Sequence, residues 1–145
     1  MSESGRELTA EQIELLKKRI SGWLRQSRYR ARKSDVDVDV KYSDIIDIYE
    51  ELNYRCAYCD QSAGSPDHPF PIKEKGPCVS ANIVPCCDEC RAKKKNRGLV
   101  KFYQESHIDQ DRLHSIIRDM LKRRGSDIIK QYLKGTFLGD QDDAT

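Results

Sequence analysis

The apolar positions of the chain fall into blocks of different spacing. Ile13, Leu16, Ile20, Trp23 and Leu24 recur mostly three or four residues apart, the repeat of one helix face. Thr9 and Gln12 at the head of that run have capping-box spacing, in which each side chain serves the other's backbone N–H. The pattern predicts a helix from about Thr9 to Arg30. In DVDVDVKY, Val36, Val38 and Val40 alternate with charge, which sets them on one side of a short strand. Helical spacing returns from Ser43, with Ile45, Ile46, Ile48, Tyr49 and Leu52 as its apolar positions. Later, Leu113, Ile116, Ile117, Met120 and Leu121 stripe a helix expected from about Asp109 to Arg124 and ended by Gly125. Ser126 is placed to cap a last short helix through Leu133, stopped by Gly135. Met1 to Leu8 reads as a frayed start.

Between these helices the periodicity lapses. QSAGSPDH is turn-rich and KEKGP reads as a loop. HPFPI and NIVPC are long enough for short strands, confined by their prolines to irregular or edge positions. Pro66 and Pro69 argue against a regular strand at Asp67–His68. From Cys87 to about Asn96 the sequence reads as helix, stopped near Gly98. No repeat and no linker interrupts the chain. The expected fold class is α+β, one domain over 1–145. Its parts are N-terminal helices and a strand over 9–53, a core over 54–98, C-terminal helices over 99–134 and a flexible acidic tail over 135–145.

At 145 residues the chain suits one compact domain. Charged residues make up 34%, against a typical ~25%, yet hydrophobic residues, 37%, suffice for a core. No run approaches the roughly 18 apolar residues of a membrane span, and MSESGRELTAEQ lacks the apolar centre of a secretory signal. The net charge of +2 conceals polarity. Lys17 to Lys33 holds eight Lys or Arg and no acid, and Arg91 to Lys101 holds six and no acid. Asp35 to Glu51, between them, holds seven acids and one Lys. Such basic runs favour a polyanion such as DNA, or RNA, although solvated helix faces look the same.

The six cysteines carry a sharper signal. Cys56 and Cys59 form CAYC, Cys87 and Cys90 form CDEC, and 27 residues separate the units. Two C-x-x-C knuckles supply four thiolates to one tetrahedral zinc. A disulfide pair or a dithiol redox motif is the competing reading. Cys78 and Cys86 remain as buried small residues or bystanders. Free thiolates in a zinc site imply a reducing compartment, such as the cytoplasm.

Between the knuckles stand Asp67-His68 and then Asn82, and CDECRAKKKNRG closes the segment. In this ordered set, about Tyr54 to Gly98, the chain resembles the zinc-containing branch of the HNH nucleases, within the ββα-metal (His-Me finger) superfamily. The basic RYRARKS segment, strand and helix ahead of the first knuckle resemble small stand-alone or phage proteins of that kind. The resemblance implies a structural zinc bracing a hairpin and helix around one catalytic divalent ion, Mg²⁺ or another. It implies metal-dependent hydrolysis of phosphodiester bonds in DNA. The residue types suit that chemistry. A neutral His68 can take the proton from water, and Asp67 offers a hard oxygen to the ion. By resemblance Asn82 is the motif's middle Asn. Its amide donates and accepts at once and can clamp the loop carrying the histidine.

The last position departs from the family pattern. Where a His or Asn usually follows the final knuckle cysteine and completes the metal site, this chain has Arg91. A guanidinium has no lone pair to give. Arg91 is expected either to clamp the scissile phosphate or to mark a site that binds without cutting. Asn96, about 140° from Arg91 around a continuous helix, can replace it only if the helix breaks early. Lys93, Lys94, Lys95, Arg97 and Lys101 are expected to contact the nucleic-acid backbone, with Lys73 and Lys75 adding contacts. Arg25, Arg28, Arg30, Arg32 and Lys33 form a second tracking surface beside Tyr29, which either stacks or packs. Trp23 is expected in the core, and His107 and His114 outside the site. Two other functions stay open: a catalytically silent zinc module that binds nucleic acid, and a protein-interaction module facing an acidic partner.

Overall fold

The computed structural model describes residues 7–106 and 109–135 and is α+β. Residues 136–145 of the acidic tail expected over 135–145, the first six residues and His107 lie outside the described residues. Helix α1 spans Ala10–Lys33, three residues beyond the expected end. Its capping box forms as the spacing predicts: Gln12 N donates to Thr9 Oγ1 at 3.1 Å and Thr9 N to Gln12 Oε1 at 2.7 Å. Strand β1 (Val38–Asp39) and helix α2 (Tyr42–Glu51) follow. Next come β2 (Pro66–Asp67), β3 (Cys78–Val79) and β4 (Val84–Pro85), each two residues long. Helix α3 spans Asp88–Lys94, α4 Leu99–Ser106, α5 Gln110–Met120 and α6 Ser126–Leu133. No helix among the described residues is long and apolar enough to cross a membrane.

Several local expectations need correction. HPFPI forms no strand; a 3-10 turn begins at Ile72, and the strand falls one step earlier, at Pro66–Asp67. Proline lacks the N–H for a regular ladder but tolerates a two-residue edge pairing. The helix after the second knuckle stops at Lys94, because Lys95 takes a positive φ of 54°. Helix α4 has no sequence counterpart above, and α5 ends at Met120 rather than Arg124. Gly125, at φ 87°, caps α6 in place of Ser126.

The strands pair as β1 with β3, parallel, and β2 with β4, antiparallel, with Asp67 opposite Val84. They also sort the core. Successive strand side chains point to opposite faces. Cys78 and Ile83 accordingly join a cluster of α1, β1 and α2 residues, including Leu16, Ile20, Ile45 and Tyr49. Their neighbours Val79 and Val84 join a second cluster with Phe70, Phe102, Ile116, Met120 and Ile129. The segment from Asp67 to Pro85 is thus gripped from both sides, by the N-terminal and the C-terminal helices.

Candidate metal centre and cationic cleft

The two knuckles meet. Cys56, Cys59, Cys87 and Cys90 place their sulfurs within 4.8 Å of one another, and Cys59 Sγ lies 3.5 Å from Cys87 Sγ. A tetrahedral zinc with Zn–S bonds of about 2.3 Å sets sulfurs roughly 3.8 Å apart, so this cluster can hold a metal ion such as zinc. Cys87 also caps α3, its sulfur accepting from Cys90 N at 3.3 Å. The thiols are electrostatically linked. Hydrogen bonds from Cys59, Cys86 and Cys90 push Cys56 down, and the same contacts push those three up. Cys78 is buried apart from them, its thiol pushed up to about 11 by burial. Cys86 is fully buried and donates to Cys87 O at 3.3 Å.

A cleft of about 480 Å³ opens on the other side of α3's start, walled by α1 and α3. Asp67, His68, Arg91 and Asn96 line it together. Trp23, Arg30 and Lys33 of α1 form its opposite wall, and Lys73 and Lys95 stand at its edge. Five cations therefore face one carboxylate. Asn96 arrives because the helix does break early, at Lys95.

His68 is buried, and its Nε2 has no hydrogen-bond partner. The Trp23 ring packs on the imidazole with centroids 4.8 Å apart. Burial first, then the charges of Arg30, Lys94 and Arg91, push its pKa down to about 3. Asp67 Oδ2 accepts from Tyr58 OH at 2.7 Å and pairs with Lys94 Nζ at 3.1 Å; neither contact uses Oδ1. Asn82 is wholly buried outside the cleft. Its Oδ1 accepts from Phe70 N at 3.0 Å, and its Nδ2 donates to Phe70 O and Pro77 O, both at 2.8 Å. It ties down the loop that follows His68.

One sequence-predicted contact is corrected, and further cations have partners within the protein. Lys94 is not a backbone-tracking lysine. It is completely buried, with its ammonium on Asp67 and on His68 O at 3.1 Å. The signal was present in the helical phase: Lys94 follows Cys90 by four residues, and the metal cluster turns Cys90 inward. Arg91 Nη2 donates to Ser65 O at 2.6 Å and Pro66 O at 2.5 Å, so it holds the approach to β2. Arg28 donates to Val40 O at 2.5 Å and is half-buried. Lys93 pairs with Glu89 at 3.1 Å and Arg97 with Glu105 at 2.7 Å, while Lys101 and Arg32 stand exposed. Lys75 donates to Ser34 O at 2.9 Å. Tyr29 is 61% exposed, with Lys33 Nζ 5.3 Å from its ring centre. His114 is exposed, away from the cleft lining. Sequence reasoning missed Tyr58, inside the first knuckle, and the place of Trp23 at the edge of the core, over His68.

The chain matches no family model, and no curated protein or solved structure matches it.

Proposed function

We propose that this protein is a metal-dependent endonuclease of the HNH type that hydrolyses phosphodiester bonds of DNA in the cleft between α1 and α3. The observation that carries the reading is His68 Nε2, a buried nitrogen without a partner beside a cleft with five cations on its walls. A buried polar atom left unpaired is costly, and a neutral imidazole beside a phosphate-attracting cleft gives it a use. The order of elements suits the ββα-metal arrangement: β2 pairs antiparallel with β4, and α3 follows β4 directly. In this reading the four cysteines hold a structural zinc.

The residues present fit a hard divalent ion. Asp67 Oδ1 is free of the Tyr58 and Lys94 contacts, and the Asn96 side chain lines the same wall. These two oxygens would hold the ion, with water and phosphate oxygens completing its shell. Bound there, the ion supplies Lewis acidity at the phosphate and the leaving oxygen. The protein does the rest. Arg30, Lys33 and Lys95 draw the backbone in. Lys94 and Tyr58 fix the Asp67 carboxylate, and Asn82 and Arg91 fix the two ends of its loop. His68, kept neutral by burial, accepts the proton of the attacking water. An incoming phosphate offsets the cations that depress its pKa and raises its basicity. Because Nε2 is screened from solvent, the Trp23 ring has to move aside for this step.

A second reading is a module that binds DNA without cutting it. It is favoured by Arg91, whose nitrogen is committed to two carbonyls where the family pattern has a ligand. Nicking of supercoiled plasmid with Mg²⁺, Mn²⁺ and EDTA separates the two. The nuclease nicks with metal, loses ~10²–10⁴ in rate in His68→Ala, and keeps its DNA affinity. A wild-type protein that binds plasmid but nicks it with no divalent metal leaves the binding module.

A further inference from the structure

We propose that the protein carries a second anion site, for a phosphate group, in a small cavity lined by Arg123. The cavity shares no lining residue with the cleft, and the proposal does not depend on the cleavage reading. Arg123 follows α5 and points inward, its side chain only 8% exposed. Its Nε, Nη1 and Nη2 are all buried, and none has a hydrogen-bond partner. The nearest counter-charge, Glu51 Oε1, is 3.8 Å away, beyond hydrogen-bond reach, and belongs to a largely exposed side chain. A dehydrated guanidinium without acceptors is among the most costly groups to bury. Something that accepts hydrogen bonds should fill the space beside it.

The cavity next to Arg123 measures about 50 Å³. One water needs at least roughly 10–15 Å³, so the space is several times that minimum and admits a small group such as a tetrahedral oxyanion. Arg55, Arg112 and Ser115 share the walls with Arg123, against Asp60 and Asp119. With Glu51 beside Arg123 and Cys56 of the metal cluster also on the wall, the guanidiniums are matched in number by carboxylates, so the pull on an anion comes from the unbonded Arg123 nitrogens and not from excess positive charge. Planar guanidinium forks match phosphate oxygens in pairs. The phosphate can come from free inorganic phosphate or from the end of a nucleic-acid strand, and the chemistry of capture is the same.

The test is thermal unfolding of the zinc-loaded full chain, titrated with sodium phosphate and with sodium chloride at equal ionic strength. Phosphate should raise the wild-type Tm by a few degrees in a saturable way, and chloride should not. The shift should persist in Arg30→Gln with Lys33→Gln, which removes two of the cleft's cations, and vanish in Arg123→Met. In phosphate-free buffer Arg123→Met should unfold no lower than wild type, because it removes a buried charge that makes no hydrogen bond and has only a distant, largely exposed counter-charge. Should Arg123→Met fail to fold, Arg112→Gln carries the test and should weaken phosphate binding at least tenfold. A 5′-phosphorylated oligonucleotide, compared with its unphosphorylated twin, distinguishes a strand end from the free ion as the source. The proposal is overturned by a wild-type protein indifferent to phosphate, by a shift of equal size in chloride, or by one that survives in both Arg123→Met and Arg112→Gln.

Discussion

In α1, Arg25, Arg30 and Arg32 stand exposed and form no ion pair among the described residues. In and after α3, cations are held. Lys93 pairs with Glu89 and Lys94 with Asp67, Arg91 grips two carbonyls, and Arg97 pairs with Glu105. As charge runs along the chain the two regions look alike, yet these three arginines face solvent, whereas Arg91 and Lys94 hold the loop around His68 and Lys93 and Arg97 pair locally. The difference follows from anchoring. Helix α1 packs one apolar stripe and leaves its other faces to water. Helix α3 has only seven residues, starts on the metal cluster, and lies against Asp67 and the loop before it. Two basic runs alike in sequence thus differ in how many of their charges remain without a partner inside the protein.

The largest effect expected from this contrast concerns metal. Region two hangs from the cysteine cluster and region one does not. Cys59→Ser, or chelation, should reduce zinc from about one per chain and abolish cooperative unfolding, since structural zinc supplies about 10–16 kcal/mol in small domains. Near-UV circular dichroism and metal analysis check this; a zinc-free chain with native cooperativity would refute it. Next in size is Lys94→Met. Removing one partner of a buried pair costs about 3–5 kcal/mol, whereas Lys93→Ala, at an exposed pair, should stay within about 0.5 kcal/mol. Urea unfolding of both variants reads the difference, and equal losses would erase the distinction between a building lysine and a surface one.

What was legible in the sequence was local or fixed by composition. The Thr9–Gln12 box joins residues three apart, and the α1 stripe and the two knuckles are short-range patterns. What was not legible depends on distant partners. Lys94 is buried by a carboxylate 27 positions earlier, and β1 pairs with β3 across forty residues. Strands of two residues are too short to show alternation. Helix α4 buries only Leu99 and Phe102, too few positions for a period to emerge. The turn at Lys95 that delivers Asn96 to the cleft comes before the nearest glycine, Gly98, and KKKNR contains no residue that demands a positive φ.

The acid side of the stability curve sharpens the role of the cleft's cations. In the folded chain His68 is pushed down to about 3 by burial and then by Arg30, Lys94 and Arg91; unfolded it returns to about 6.5. Between those values the unfolded state binds the extra proton. Stability should therefore be full above about pH 6.5 and fall as pH drops toward 3, by up to about 1.4 kcal/mol per pH unit. Subtracting the curve of His68→Phe from that of wild type isolates this slope, and a zero difference would mean the imidazole is not screened. The smallest effect is on salt dependence. Arg30→Gln with Lys33→Gln should flatten the slope of log affinity for DNA against log salt by up to about two phosphate contacts. Lys93→Gln with Arg97→Gln should change it less. The reverse ranking would return the binding face to region two.

The claim that the cleft is the reaction centre is tested most directly by locating the divalent ion. Mn²⁺, added to the isotope-labelled zinc-loaded chain with an uncleavable phosphorothioate duplex, broadens NMR signals near its site. The Asn96 side-chain amide and the backbone amides of Asp67 and His68 should broaden first, and Asp67→Asn should remove the effect. Broadening centred elsewhere, or none at these residues with duplex bound, would contradict that claim.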